Sequence, residues 1–143
     1  LVLGGRSYGG RMCSMAVAEG LPAAGLALVS YPLHPPGKPE RLRTEHFPDL
    51  HVPVLLVSGR TDPFATPDEL AEHTAAIPGP VTRVELPGAH DLKGQDAAVC
   101  EPVVRWLATV GSCPAPGRRP GVPTGPRDCV RCAADRSRTT RRC

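Results

Sequence analysis

Leu1-Val2-Leu3-Gly4-Gly5-Arg6-Ser7-Tyr8-Gly9-Gly10 is the stretch on which the fold reading turns. Its first three residues form a short apolar run of the kind that ends a buried strand. Residues Arg11 to Glu19 beyond it are helix-like and stop at Gly20, with Pro22 following. Between strand and helix lies Gly5-Arg6-Ser7-Tyr8-Gly9, a G-x-S-x-G pattern. In a chain with 15 glycines the pattern alone says little, and its setting decides its meaning. A serine on a sharp strand-to-helix turn is a nucleophile elbow. Glycines on either side let the backbone turn tightly and bring the hydroxyl to the helix N-terminus. The Tyr8 backbone N–H is then placed to face a developing oxyanion. The plainer alternative is a simple glycine turn.

Working outward, Gly25–Tyr31 (G-L-A-L-V-S-Y) and Pro53–Ser58 (P-V-L-L-V-S) are continuous apolar runs of strand length. Such runs suit strands covered on both faces, as in a parallel sheet. Residues 32–52 between them are proline-rich and read as a long loop with one helical turn around Arg41 to Glu45. This loop is either a pocket wall or a proline-stiffened connector, and the composition leans towards the connector. Pro67 to Ile77 reads as a helix capped by Thr66, with Glu69 three residues after the cap. Val81–Leu86 alternates weakly, as a strand near the sheet edge does. Asp96–Val110 is a helix with Val99, Val103, Trp106, Leu107 and Val110 on one stripe and Pro102 inside it, so that it starts late or kinks. Alternating strands and helices predict an α/β fold, a parallel sheet flanked by helices.

A serine hydroxyl needs a base, and the base must come from elsewhere in the chain. The elbow arrangement predicts the order Ser, acid, His. Asp62 follows the strand Pro53–Ser58, and His90 follows the strand Val81–Leu86. Functional groups of open α/β sheets gather at the carboxyl ends of strands, and all three residues fall at that edge. Ser7 is therefore the expected nucleophile, His90 the base and Asp62 its acid. The plain reading of Asp62, next to Pro63, is a turn cap. Asp68 reads as a first-turn helix residue, and Asp91 as a residue that shapes the loop beside His90. His34, His46, His51 and His73 lack a position just after a strand.

The chain has 143 residues and a formal net charge of +3. Residues 1–112 hold nine basic and twelve acidic side chains, whereas residues 113–143 hold eight arginines and two aspartates. The basic balance thus sits in the tail, and nucleic-acid binding is not read from it. No apolar run approaches the ~18 residues of a membrane span. The six cysteines lack the spacing of a disulfide framework, so a cytoplasmic, reduced protein is expected. Cys129-x-x-Cys132 has no accompanying histidine, and neither a metal nor a cofactor is expected. Residues 1–111 read as one domain and 112–143 as a disordered tail rich in proline, arginine and cysteine.

Four segments together resemble a known group. They are Gly4–Met12 (G-G-R-S-Y-G-G-R-M), Ser30–Glu40 (S-Y-P-L-H-P-P-G-K-P-E), Val57–Phe64 (V-S-G-R-T-D-P-F) and Leu86–Asp91 (L-P-G-A-H-D). They are similar to the dienelactone-hydrolase-like branch of the α/β-hydrolase superfamily, which also includes a hydrolase-like subunit of a chromatin acetyltransferase complex. The resemblance covers roughly Leu1 to Leu107, and Tyr31 to Lys38 is its most specific part. It implies a Ser7, Asp62, His90 triad acting on an ester, thioester or amide of a small molecule. Dienelactone hydrolases proper use cysteine where Ser7 stands, so dienelactones are not implied. The competing expectation is a non-catalytic binding or scaffold domain of the same fold. The resemblance further implies that the chain is the C-terminal half of such a domain, a partial fold whose N-terminal strands are missing along with a second oxyanion donor. One such donor is worth ~2.7–4 kcal/mol in a transition state. The chain by itself is therefore expected to be poorly soluble or inactive, its apolar sheet edge left open.

Overall fold

The computed structural model describes residues 1–110. Four strands, β1 (Val2–Arg6), β2 (Gly25–Val29), β3 (Val54–Gly59) and β4 (Val81–Leu86), form one sheet in the order β1-β2-β3-β4. Every neighbouring pair is parallel. Three α-helices accompany them: α1 (Tyr8–Ala18), α2 (Pro67–His73) and α3 (Asp96–Val110). The expected α/β architecture of parallel strands flanked by helices is what the chain adopts.

The apolar runs explain the two layers. Along β3 the side chains alternate between faces. Val54 and Leu56 join one core with Leu26, Leu28, Val17 of α1 and Leu70 of α2. Leu55 and Val57 join a second core with Trp106 of α3 and Leu92. All six residues of β3 are buried, and burial of each Leu or Val contributes ~1.5–3 kcal/mol over leaving it exposed. In β4 Val81, Val84 and Leu86 are half-buried and Thr82, Arg83 and Glu85 exposed, so the alternation breaks at Thr82–Arg83, and the strand lies at the sheet edge among the described residues, where it was expected. At the other edge β1 pairs with β2 alone among the described residues.

Several local expectations shift. The helical turn expected at Arg41–Glu45 is absent there, and a 3-10 turn forms instead at Phe47–Asp49. The Arg41 and Arg43 N–H groups donate to the carbonyls of Lys38 and Leu33, which closes the loop on itself rather than into a helix. β2 ends at Val29 because Ser30 takes a φ of 50°. α2 ends at His73 and continues as a 3-10 turn, Thr74–Ala76. Thr74 spends its hydroxyl on the Leu70 carbonyl, and Ile77 precedes a proline, which disfavours helical backbone there. The Thr66–Glu69 capping box forms as expected.

α3 runs unbroken through Pro102. Leu107 does not join the buried stripe and is 39% exposed, whereas Trp106 is buried. The tail, with Cys129 and Cys132, lies outside the described residues. Among the described residues no helix is long and apolar enough to cross a membrane.

Candidate functional site

β1 delivers Ser7 directly into the first turn of α1. Ser7 has φ 51° and ψ −120°, a sparsely populated conformation for a non-glycine residue. Its N–H donates to the Val29 carbonyl at 2.8 Å, and its own carbonyl accepts from Arg11 N–H at 3.1 Å. The Ser7 hydroxyl makes no capping bond to the helix. It lies instead 2.7 Å from His90 Nε2.

The glycines that permit this turn are not quite those of the motif. A Cβ on Gly5 would lie 2.6 Å from the Gly9 carbonyl carbon, and one on Gly10 would lie 2.7 Å from the Gly5 oxygen. A Cβ on Gly9 would meet nothing within 4 Å. The close approach of strand and helix thus depends on Gly5 and Gly10. Gly5→Ala is expected to destabilise the fold by about 1–3 kcal/mol, since rigid backbone must move. Gly9→Ala should be neutral or stabilising, by up to ~1 kcal/mol, because alanine is the better helix former. Urea titration of the two variants checks the contrast, and equal loss in both would contradict it.

Asp62 sits in the turn after β3, with its side chain fully buried. Its Oδ1 accepts the Phe64 N–H at 2.9 Å, and its Oδ2 lies 2.8 Å from His90 Nδ1. The turn-capping role and the role beside the imidazole are therefore filled by different oxygens of one carboxylate. A buried carboxylate needs such partners.

His90 follows β4. A close approach between the two loops holds it beside Asp62: a Cβ on Gly59 would lie 2.4 Å from the Gly88 oxygen, and Thr61 N–H donates to that oxygen at 3.0 Å. Gly88 itself has φ 121°, which favours glycine. The Phe64 ring packs on the imidazole with centroids 4.2 Å apart. Arg6 Nη2 donates to the His90 carbonyl at 3.2 Å. The His90 side chain is 21% exposed, so the imidazole is held yet remains accessible.

The result is a continuous chain from hydroxyl to imidazole to carboxylate, drawn from the carboxyl ends of β1, β4 and β3. The Tyr8 N–H, at the first position of α1, has no hydrogen-bond partner among the described residues. A family model described as an alpha/beta hydrolase domain matches residues 1–100.

The chain belongs to the α/β-hydrolase domain family.

Solved structures agree on the α/β-hydrolase fold. An esterase of Pyrococcus furiosus is 15% identical with a TM-score of 0.61, over 76% of this chain and 52% of its own. The Est2 esterase of Thermogutta terrifontis is 19% identical with a TM-score of 0.56, over 77% of this chain and 55% of its own. The type II thioesterase BorB of the borrelidin biosynthetic cluster is 18% identical with a TM-score of 0.53, over 75% and 62%. The chain thus spans roughly half to three-fifths of the length of these α/β-hydrolase structures.

Neither His34 nor His46 bonds to Ser7, Asp62 or His90, although the His34 N–H donates to the Phe64 carbonyl at 3.2 Å. His34 is buried, its Nδ1 2.9 Å from the Pro35 carbonyl and its Nε2 3.3 Å from Glu69, so it ties the long loop to α2. His46 Nε2 lies 2.8 Å from the buried Ser14 hydroxyl. Asp91 is exposed and accepts a long bond from Lys93 N–H, in keeping with loop shaping. Among the described residues no three His, Cys, Asp or Glu side chains cluster as metal ligands. Arg6, Phe64 and the Gly59–Gly88 contact are the parts of the site that motif reading misses. The Asp-Pro turn after β3 was the one local signal that pointed at Phe64 N–H.

Proposed function

We propose that this chain carries the reacting groups of a serine hydrolase that transfers an acyl group from an ester, thioester or amide to water. The 2.7 Å contact between Ser7 Oγ and His90 Nε2 carries the reading. His90 Nε2 takes the hydroxyl proton as Ser7 Oγ attacks the carbonyl carbon. Asp62 keeps the other imidazole nitrogen protonated, which leaves Nε2 free to accept, and offsets the imidazolium charge. The Tyr8 N–H stabilises the oxyanion of the tetrahedral intermediate. His90 then returns its proton to the leaving group, and the same residues repeat the sequence with water to release the acid.

The finer placement in the dienelactone-hydrolase-like branch rests on Tyr31–Lys38 and belongs to the same proposal. So do the reading of residues 1–111 as the later part of such a domain, and a cytoplasmic location inferred from the cysteine pattern. The test is hydrolysis of short-chain p-nitrophenyl esters by the intact protein that carries this chain. Turnover above the buffer rate is expected, and a folded protein without turnover on any ester, thioester or anilide would count against the proposal.

A further inference from the structure

His34 lies in Tyr31–Lys38, a stretch that the Ser7, His90 and Asp62 chain does not use. Its side chain is buried, and each ring nitrogen faces an oxygen. Nδ1 is 2.9 Å from the Pro35 carbonyl, and Nε2 is 3.3 Å from a Glu69 carboxylate oxygen. A neutral imidazole has one donor and one acceptor, whereas an imidazolium has two donors. A carbonyl oxygen only accepts, so Nδ1 must donate. The Glu69 oxygen already accepts the Thr66 N–H and the Thr66 hydroxyl, each at 2.8 Å. Those bonds, the backbone one first, hold the Glu69 carboxyl below its ordinary range, so it has no proton to give. Nε2 must therefore donate as well, and both nitrogens donate only in the charged ring.

The surroundings compensate that charge. Burial works against it, but the Pro35 carbonyl and Glu69 outweigh burial and raise His34 above the usual imidazole range. The charged groups that act on the ring are Glu69 of α2 and Glu40 of its own loop. The turn after β3 offers His34 the Phe64 carbonyl, and the Asp62 carboxylate in that turn is engaged by Phe64 N–H and His90.

What His34 holds reaches the site. Its backbone N–H donates to the Phe64 carbonyl at 3.2 Å, and its ring bonds to Glu69, so residues 64–69 are tied to the long loop at both ends. Phe64 in turn donates its N–H to Asp62 Oδ1 and lays its ring on His90 with centroids 4.2 Å apart. It thereby touches both the acid and the base.

We propose that His34 is a positioning residue that works as an imidazolium: in that form it pins the long loop to Phe64 and Glu69 and so keeps Phe64 against Asp62 and His90. The inference rests on the hydrolase reading of Ser7 and His90 and adds an alkaline limit to it. When His34 loses its proton, one of its two ring bonds must break, because a nitrogen lone pair then faces an oxygen lone pair. The contribution of these bonds to stability is complete below the ordinary imidazole value and is lost as pH rises through the raised one. Activity falls over the same interval.

The test is a pH titration of the intact protein, its histidines and phenylalanines isotope-labelled for nitrogen NMR. Both ring nitrogens of His34 should be protonated at neutral pH, and the proton should leave in a step above the ordinary imidazole value. The Phe64 amide signal should move in that same step, and should lose the movement in His34→Gln. The kcat/KM for p-nitrophenyl butyrate should fall by about tenfold across it, because small displacements of reacting groups are costly. Glu69→Gln removes the negative charge and keeps an oxygen for the Thr66 N–H. It should shift the His34, Phe64 and kcat/KM steps to lower pH together. A His34 ring that is neutral at neutral pH would overturn the charge assigned to it. A Phe64 signal indifferent to the His34 step would overturn the positioning role. So would a kcat/KM with no alkaline fall, or with a fall that stays in place in Glu69→Gln. If the ester is not cleaved at any pH, the hydrolase reading fails, and the Phe64 signal alone decides the role of His34.

Discussion

Ser7→Ala is expected to lower kcat for ester hydrolysis by on the order of 10⁶-fold, the scale on which loss of the nucleophile acts in serine hydrolases. The change removes one oxygen. That oxygen caps no helix and bonds only to His90 Nε2. Alanine meets the same backbone constraint at φ 51° as serine does, so the turn itself is not disturbed. Thermal unfolding of the variant should therefore match the wild-type curve within about 0.5 kcal/mol, as for changes away from packing contacts. Activity that survives in a folded Ser7→Ala protein would remove Ser7 from the mechanism.

Asp62→Asn is expected to lower kcat by about 10⁴-fold with little change in KM. The amide is nearly isosteric. Its carbonyl oxygen can keep the Phe64 N–H bond, which leaves its NH2 facing His90 Nδ1. A donor there forces Nδ1 to accept, which moves the ring proton to Nε2. In that tautomer the imidazole cannot take the Ser7 proton. Because Asp62 is fully buried, a circular dichroism spectrum and a melting curve must accompany the kinetics. A loss of less than tenfold in a folded variant would contradict the role given to Asp62.

Particular residues show what the sequence carries and what it does not. The strands were legible because buried parallel strands are written as apolar runs, and β3 is buried at every position. Asp62 and His90 were legible because each follows such a run, in the order the elbow requires. The contacts that join them were not. The Gly59–Gly88 approach, the Phe64–His90 ring contact and the Arg6 bond to the His90 carbonyl link residues 26 to 84 positions apart, and local composition names no partner at that distance. The displaced turn at Arg41–Glu45 has a related cause. Arg and Glu favour helix, but backbone bonds of the loop override that preference. Leu107 fits the period of the α3 stripe yet is exposed. A stripe fixes a face of the helix, and how far the sheet reaches beneath that face is a tertiary matter.

The fold supports a reaction only if one hydroxyl is made reactive by its neighbours, and covalent trapping measures that directly. The intact protein, treated with a fluorophosphonate and mapped by peptide mass spectrometry, should carry a single adduct on Ser7. The rate of labelling should collapse in a folded His90→Ala variant. A folded protein that takes no adduct at Ser7, or one labelled equally fast without His90, would contradict the account and favour a non-catalytic domain built on the same fold.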